Sequence, residues 1–264
     1  MLEQYFVESI KRHKSYPIVI SEGDSWFSYP GHWNTIDHLD DLAKRRMSLL
    51  RLEAAGDTLH NMTRGEQRAK LRRLLTAYPV DILLFSGGGN DVIGPELIDF
   101  FDFVPSGADW RDHIRMETLD TRVEEITIAY RGLKQLRDQY RPDCVIATHG
   151  YAYANPSGKP TEYWLWPIPI SITLGPWIQN NLRARNITDE AEQRDVVTYL
   201  IDRYNEALGT LTDDTFLHID NRQVIGDDDW SDELHPTRDG FRKVAKGFYD
   251  AIKAAVPKAK KAWK

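Results

Sequence analysis

The stretch Pro17-Ile-Val-Ile-Ser-Glu-Gly-Asp-Ser-Trp-Phe27 combines a short apolar run with a glycine turn. Apolar runs of this length, rich in Ile and Val, are typical of strands that are buried on both faces. Gly23 permits a tight turn directly after the run, and Ser25 follows at its exit. The stretch therefore predicts a buried strand whose carboxyl end presents a serine hydroxyl.

Similar apolar runs recur along the chain, and helical patterns separate them. The later runs cover residues 48–54, 81–86, 143–148 and 215–219. The helical patterns cover residues 35–46, 64–77, 121–140, 188–208 and 238–255. This repeated alternation predicts an α/β fold in which a mostly parallel, five-stranded sheet carries helices on both faces.

Two long stretches, residues 94–120 and 151–181, interrupt this alternation and are rich in aromatic residues. Each of them follows the carboxyl end of a predicted strand, which is where open α/β sheets bind ligands. The chain has 264 residues, enough for one α/β domain with a full core. We therefore expect a single domain over residues 1–264, with two insertions that serve function.

Composition and charge argue against several classes of protein. The net charge of −6 gives no general attraction to nucleic acid, and the basic residues within 64–73 and 258–264 fit a solvated helix face and a frayed end. No window reaches the roughly 18 apolar residues that span a bilayer, and the first residues do not resemble a secretory signal. The single cysteine, Cys144, excludes an intrachain disulfide. We expect a cytoplasmic protein, and the sequence does not indicate its oligomeric state.

A base that could activate Ser25 occurs near the other end of the chain. Asp232 stands three residues before His235, just ahead of the last predicted helix. A carboxylate at this spacing can hold the imidazole Nδ1 and leave Nε2 free to accept the serine proton. Taken alone, Asp-x-x-His also fits a surface loop or half a metal site, and Gly-Asp-Ser also fits an ordinary turn.

Candidate donors for an oxyanion follow the second and third predicted strands. Gly56 leaves its backbone N–H open to a ligand, and Asn90 offers a side-chain amide. The glycines at 87–89 let the backbone approach a ligand closely. They lack the spacing of a phosphate-binding loop, and no Lys-Ser/Thr follows them.

This set of motifs resembles the SGNH hydrolases, also called the GDSL esterase/lipase family. The similar motifs, in family order, are Gly23-Asp24-Ser25 with Trp26 in place of the usual Leu, Gly56, Gly88-Gly89-Asn90-Asp91 and Asp232-x-x-His235-Pro236. The resemblance covers residues 17–255 and implies a flavodoxin-like three-layer α/β/α sandwich. It implies a triad of Ser25, Asp232 and His235, and an oxyanion hole of Ser25, Gly56 and Asn90. It implies neither a cofactor nor a metal.

We therefore expect hydrolysis of a small-molecule carboxylic ester, with an apolar acyl group, through an acyl-enzyme on Ser25. The candidate pocket residues are Trp26, Phe27, His149, Tyr151, Trp164 and Trp166. The resemblance leaves a carbohydrate O-deacetylase, a thioesterase and a lysophospholipase open as alternatives. A catalytically silent ligand-binding module and metal-dependent phosphodiester chemistry are alternatives of a different class.

Overall fold

A central parallel sheet organises the chain, and the computed structural model describes residues 2–164 and 171–264. The strands are β1 (Ile18–Gly23), β2 (Ser48–Arg51), β3 (Ile82–Ser86), β4 (Val145–Gly150), β5 (Thr161–Trp164), β6 (Ser171–Leu174) and β7 (Phe216–Asp220). All neighbours in the five-stranded sheet β2-β1-β3-β4-β7 run parallel, while β5 and β6 form a separate antiparallel pair. The predicted parallel α/β sheet is therefore confirmed.

Helices cover both faces of this sheet. They are α1 (Leu2–Arg12), α2 (Thr35–Leu42), α3 (Leu59–Met62), α4 (Gly65–Ala77), α5 (Gly89–Val92), α6 (Met116–Tyr140), α7 (Gln179–Ala184), α8 (Glu190–Gly209), α9 (Arg238–Ala255) and α10 (Pro257–Ala262). On one face α6 packs against α4 and α8, and on the other α2 packs against α9. The result is the three-layer α/β/α arrangement. Within the described ranges, no helix is long and apolar enough to cross a bilayer.

The boundaries of some elements differ from the predicted ones. The helix predicted over 35–46 ends earlier, as α2, because Lys44 and Arg45 adopt left-handed conformations with φ of 54° and 56°. The strand predicted over 48–54 is the shorter β2. Helix α1, which the sequence analysis does not predict, is anchored by the buried side chain of Phe6. None of these differences changes the sheet edge at which the strands end.

Both insertions pack onto the sheet and its helices. In the first insertion, Phe100, Phe101 and Trp110 are almost fully buried. The second insertion contains β5, β6 and the first residues of α7, and Ile178 just before α7 is buried. The buried apolar side chains of both insertions belong to the same hydrophobic core as those of β1 and β3. The aromatic residues of the first insertion therefore stabilise its contact with the sheet.

Candidate active site

Ser25 lies on a tight turn at the carboxyl end of β1. A Cβ on Gly23 would lie 2.8 Å from the Cβ of Ser86, so glycine allows β1 and β3 to approach closely at this point. The Asp24 carbonyl oxygen then accepts a hydrogen bond from the Ser28 N–H at 3.0 Å, which closes the turn. The turn carries the Ser25 hydroxyl to the edge of the sheet, where the loop before α9 also lies.

Three side chains from opposite ends of the sequence form a chain of hydrogen bonds. Ser25 Oγ lies 2.8 Å from His235 Nε2. His235 Nδ1 lies 2.9 Å from Asp232 Oδ2 and 3.0 Å from Asp232 Oδ1. All three residues are largely shielded, with exposed fractions of 8%, 5% and 2% for Ser25, His235 and Asp232. This is the geometry of a nucleophile, its general base and an orienting carboxylate.

Asp232 is a buried carboxylate with a full set of hydrogen-bond donors. Its Oδ2 accepts hydrogen bonds from Thr161 Oγ1 at 2.7 Å and from the Tyr29 hydroxyl at 3.1 Å. Its Oδ1 accepts hydrogen bonds from the N–H groups of Leu234 and His235, both at 2.8 Å. Burial alone would raise the pKa of Asp232, but the interactions with His235, Thr161 and Leu234 lower this pKa to about 2. An ionised Asp232 favours a proton on His235 Nδ1 and leaves Nε2 as the acceptor for Ser25.

Two of these donors, Tyr29 and Thr161, are site residues that the sequence analysis missed. The Tyr29 ring stacks on the imidazole of His235, with ring centroids 4.5 Å apart and planes 15° apart. Tyr29 lies close to Ser25 in the sequence, and this closeness could have indicated that Tyr29 belongs to the site. Thr161 belongs to β5 in the second insertion, and no sequence spacing links it to Asp232.

Gly56 and Asn90 border the same cleft as Ser25, and the volume of this cleft is about 390 Å³. Gly56 has a φ of +82°, a left-handed conformation that favours glycine. The Asn90 side-chain amide donates one N–H to the Asp57 carbonyl oxygen at 3.1 Å, which orients the amide and leaves its second N–H available. In the part of the chain that the structure describes, the N–H groups of Ser25 and Gly56 have no protein acceptor. Three candidate oxyanion donors therefore lie near the nucleophile.

The loop before Asn90 is held in place by glycine geometry and two buried tyrosines. Gly88 has a φ of +102°, and a Cβ at this position would lie 2.7 Å from the Tyr204 ring. The hydroxyls of Tyr130 and Tyr204 donate to the Gly87 carbonyl oxygen at 2.8 and 2.6 Å. Burial raises the pKa of both phenols, so both hydroxyls stay protonated as donors.

Comparison with solved structures identifies the fold around this site. The chain superposes on the lipase Lip_vut3 from a goat rumen metagenome with a TM-score of 0.60 and 12% identity, covering 92% of this chain and 99% of that one. It superposes on a candidate SGNH hydrolase from Slackia heliotrinireducens with a TM-score of 0.51 and 11% identity, covering 90% and 99%. An extracellular lipase from Streptomyces rimosus gives a TM-score of 0.50 and 14% identity, covering 91% and 100%. The chain has the SGNH hydrolase fold. Neither a family model nor a curated protein matches the sequence.

A second serine, aspartate and histidine are hydrogen-bonded beneath the nucleophile turn of this SGNH hydrolase fold. Ser86 Oγ donates to Asp24 Oδ1 at 2.8 Å and lies 2.9 Å from His149 Nε2. The serine stands between the other two groups, so Asp24 does not orient His149 as the acid of a triad would. Ser86 and His149 have no exposed surface, and burial lowers the pKa of His149 to about 3. This set supports the turn that carries Ser25, and its serine and histidine are shielded from solvent.

Trp26 and Tyr151 are predicted pocket residues that border open space beside Ser25. Both line a small recess next to the nucleophile, and their rings meet edge to face with centroids 5.1 Å apart. Two further predicted pocket residues belong to the second insertion. Trp164 ends β5, and Trp166 lies outside the described residues.

Phe27 and His149, also predicted to line the pocket, lie in the core of the SGNH fold. Neither side chain has exposed surface, and their rings stack with centroids 5.8 Å apart. Phe248 of α9 packs against both rings. Apolar character next to a nucleophile fits a core position as well as a pocket position, and here the turn sends Phe27 inward.

Glu233 ties the second insertion to the loop that carries Asp232 and His235. Its side chain is fully buried, and its Oε1 accepts hydrogen bonds from the N–H groups of Gly158 and Gln179, both at 3.0 Å. Its Oε2 accepts a third hydrogen bond from the Ile178 N–H at 2.7 Å. Burying a carboxylate without such donors is very costly. The position of the insertion and the position of the loop that carries Asp232 and His235 therefore depend on each other.

We expect Asp24→Asn to change how stability depends on pH. Burial raises the pKa of Asp24 from 3.8 to about 6. Because this folded-state pKa is the higher one, the contribution of Asp24 to stability is complete below pH 3.8 and is lost as the pH rises towards 6. The shift corresponds to about 3 kcal/mol, and an asparagine does not ionise. Urea unfolding of Asp24→Asn should therefore show a smaller loss of stability between pH 4 and 6 than the wild-type protein.

The matched control for Asp24→Asn is Asp228→Asn, which changes an exposed aspartate. This control should keep the wild-type pH dependence of the free energy of unfolding. Equal pH dependence in wild type and Asp24→Asn would contradict the raised pKa.

We expect Glu233→Gln to destabilise the fold by about 2–3 kcal/mol, because an amide nitrogen replaces one acceptor oxygen and the negative charge is lost. The free energy of unfolding in urea measures this change, and limited proteolysis within 151–181 should become faster. Glu162→Gln, which changes an exposed residue of the same insertion, serves as the control. A Glu233→Gln variant that is as stable and as protease-resistant as the control would contradict a stabilising role for the hydrogen bonds between Glu233 and the second insertion.

Proposed function

We propose that this protein is a serine hydrolase that cleaves carboxylic esters of small molecules. The observation that carries the proposal is the continuous hydrogen-bond chain from Ser25 Oγ through His235 to Asp232, with links of 2.8 and 2.9 Å. A serine hydroxyl becomes nucleophilic only when a base within hydrogen-bond reach takes its proton. The adjacent cleft of about 390 Å³ is of a size that fits a small-molecule substrate.

The geometry supports a two-step reaction. Ser25 Oγ attacks the ester carbonyl carbon while His235 Nε2 accepts its proton. The tetrahedral oxyanion takes hydrogen bonds from the N–H groups of Ser25 and Gly56 and from the Asn90 amide. His235 then gives its proton to the leaving alcohol oxygen, and the C–O bond breaks to leave an acyl-enzyme. In the second step a water oxygen attacks the acyl carbon while His235 Nε2 accepts the water proton. The bond between the acyl carbon and Ser25 Oγ then breaks, His235 returns the proton to Oγ, and the carboxylic acid leaves.

The alternative of a catalytically silent binding module predicts a different behaviour of Ser25. Ser25, Gly56, Asn90, Asp232 and His235 all retain side chains or backbone groups that are competent for the reaction. A silent module would gain nothing from an ionised Asp232 that orients His235 towards a serine. Covalent labelling by a fluorophosphonate probe separates these two functions, because the probe reacts only with an activated serine.

We expect Ser25→Ala to lower kcat for p-nitrophenyl acetate on the order of 10⁶-fold, because the nucleophile is lost. Peptide mass spectrometry should place the fluorophosphonate label of the wild-type protein on Ser25, and the variant should not label. Ser86→Ala is the matched control, because Ser86 is the serine of the buried set. It should still label at Ser25. Unchanged ester hydrolysis by Ser25→Ala, or labelling at Ser86, would refute the proposal.

We expect Asn90→Ala to lower kcat by roughly 10²–10³-fold with little change in KM, because the Asn90 amide strengthens its hydrogen bond as charge develops on the carbonyl oxygen. Steady-state kinetics with p-nitrophenyl acetate measures both constants. Asn61→Ala changes an exposed asparagine and serves as the control. A raised KM with an unchanged kcat would show that Asn90 binds the substrate without stabilising the transition state.

A further inference from the structure

Two open spaces of very different size meet at Ser25. The larger one is the cleft of about 390 Å³, whose walls include Pro30, Leu174 and Trp177. The smaller one is a recess of about 30 Å³ that is lined mainly by apolar side chains. Asn90 borders both spaces. When Asn90 binds the carbonyl oxygen of an ester, the acyl side of the ester therefore lies in one space and the alcohol side lies in the other.

The position of His235 decides which side of the ester enters which space. In the described part of the chain, His235 lines the larger cleft and does not line the recess. The leaving alcohol oxygen must receive its proton from His235 Nε2, so the alcohol lies on the His235 side. The acyl group then extends from the carbonyl carbon away from His235 and into the recess.

Four walls of the recess are buried side chains, whereas Ala154, Trp230 and Leu234 are partly exposed. Trp26, Ile93, Tyr151 and Ile201 are between 2% and 4% exposed. The Trp26 indole N–H donates to the Leu234 carbonyl oxygen at 3.0 Å. The Tyr151 hydroxyl donates to the buried Asp24 carboxylate. Neither aromatic ring can turn aside to admit a longer chain without breaking a buried hydrogen bond, which costs about 1–3 kcal/mol.

The volume of the recess limits the length of the acyl chain. By the same measure of volume, the recess has less than a tenth of the space of the cleft, about 30 Å³ against about 390 Å³, so it is narrow for a long acyl chain. The acyl groups that fit such a recess best are short ones, such as acetyl and propionyl. We propose that the protein is selective for acetyl and propionyl esters of larger alcohols, with the alcohol in the 390 Å³ cleft. This selectivity rests on the proposed esterase function and narrows the apolar acyl group expected from the sequence.

The test is a series of p-nitrophenyl esters from acetyl to octanoyl. We expect kcat/KM to be highest for the acetyl or propionyl ester and to fall roughly 10-fold or more with each further methylene that does not fit. Ile93→Ala enlarges the recess and should raise kcat/KM for the butyryl ester relative to the acetyl ester by about 10-fold. Ala154→Leu fills the recess from another side and should lower kcat/KM for the propionyl ester relative to the acetyl ester.

A matched control changes the larger cleft instead. Leu174→Ala should alter the rates for acetyl esters of different alcohols but should leave the dependence on acyl length unchanged. A wild-type preference for the octanoyl ester would overturn the proposal. So would Ile93→Ala and Ala154→Leu variants that both keep the wild-type length profile. Fluorophosphonate labelling of Ser25 distinguishes a failure of the esterase function from a failure of the acyl selectivity. An unlabelled Ser25 refutes the esterase function itself, whereas a labelled Ser25 with a long-chain preference refutes only the acyl selectivity.

Discussion

The hydrogen bond from Trp26 Nε1 to the carbonyl oxygen of Leu234 joins the two segments whose alignment the site requires. Ser25 directly precedes Trp26, and His235 directly follows Leu234, so this bond limits the separation of Ser25 and His235. The two bonded residues are 208 positions apart in the sequence. A misplacement of reacting groups by about 1 Å can lower the rate of a reaction about 10²-fold. A direct hydrogen bond between the two segments would therefore have a large effect on the rate of the proposed reaction. Burial of the indole protects this hydrogen bond from competition by water.

Beneath Trp26, a buried polar network determines where the turn lies. The Asp24 carboxylate accepts hydrogen bonds from the Tyr151 hydroxyl, the Ser86 hydroxyl and the Trp26 N–H. These groups satisfy one another inside an aromatic core, and removing one of them leaves another buried polar group without a partner. The resemblance of Asp24, Ser86 and His149 to a triad is therefore one of composition only. Their physical role is to hold the turn that carries Ser25 in position.

Much of the fold and part of the site were predictable because their signals are local. Apolar runs predicted the five sheet strands, and the carboxyl ends of those strands predicted where Ser25, Gly56 and Asn90 lie. The contributions of Thr161 and Glu233 could not be predicted, because each contacts a partner that is distant in the sequence. Phe27 shows a further limit, since hydrophobicity alone does not distinguish a core side chain from a pocket wall.

In the proposed binding mode, different parts of the chain contact the acyl side and the alcohol side of the ester. Trp26 borders the proposed acyl recess and also joins the segments that carry Ser25 and His235, so a substitution of Trp26 that changes acyl selectivity should also disturb the proposed reaction. The alcohol cleft is bounded in part by Leu174 and Trp177 of the second insertion. That insertion donates hydrogen bonds to Asp232 and Glu233 in the loop that also carries His235. In the proposed binding mode, alcohol selectivity is therefore free to vary through side chains of the insertion that face the cleft, whereas the hydrogen bonds of the insertion to Asp232 and Glu233 must be kept.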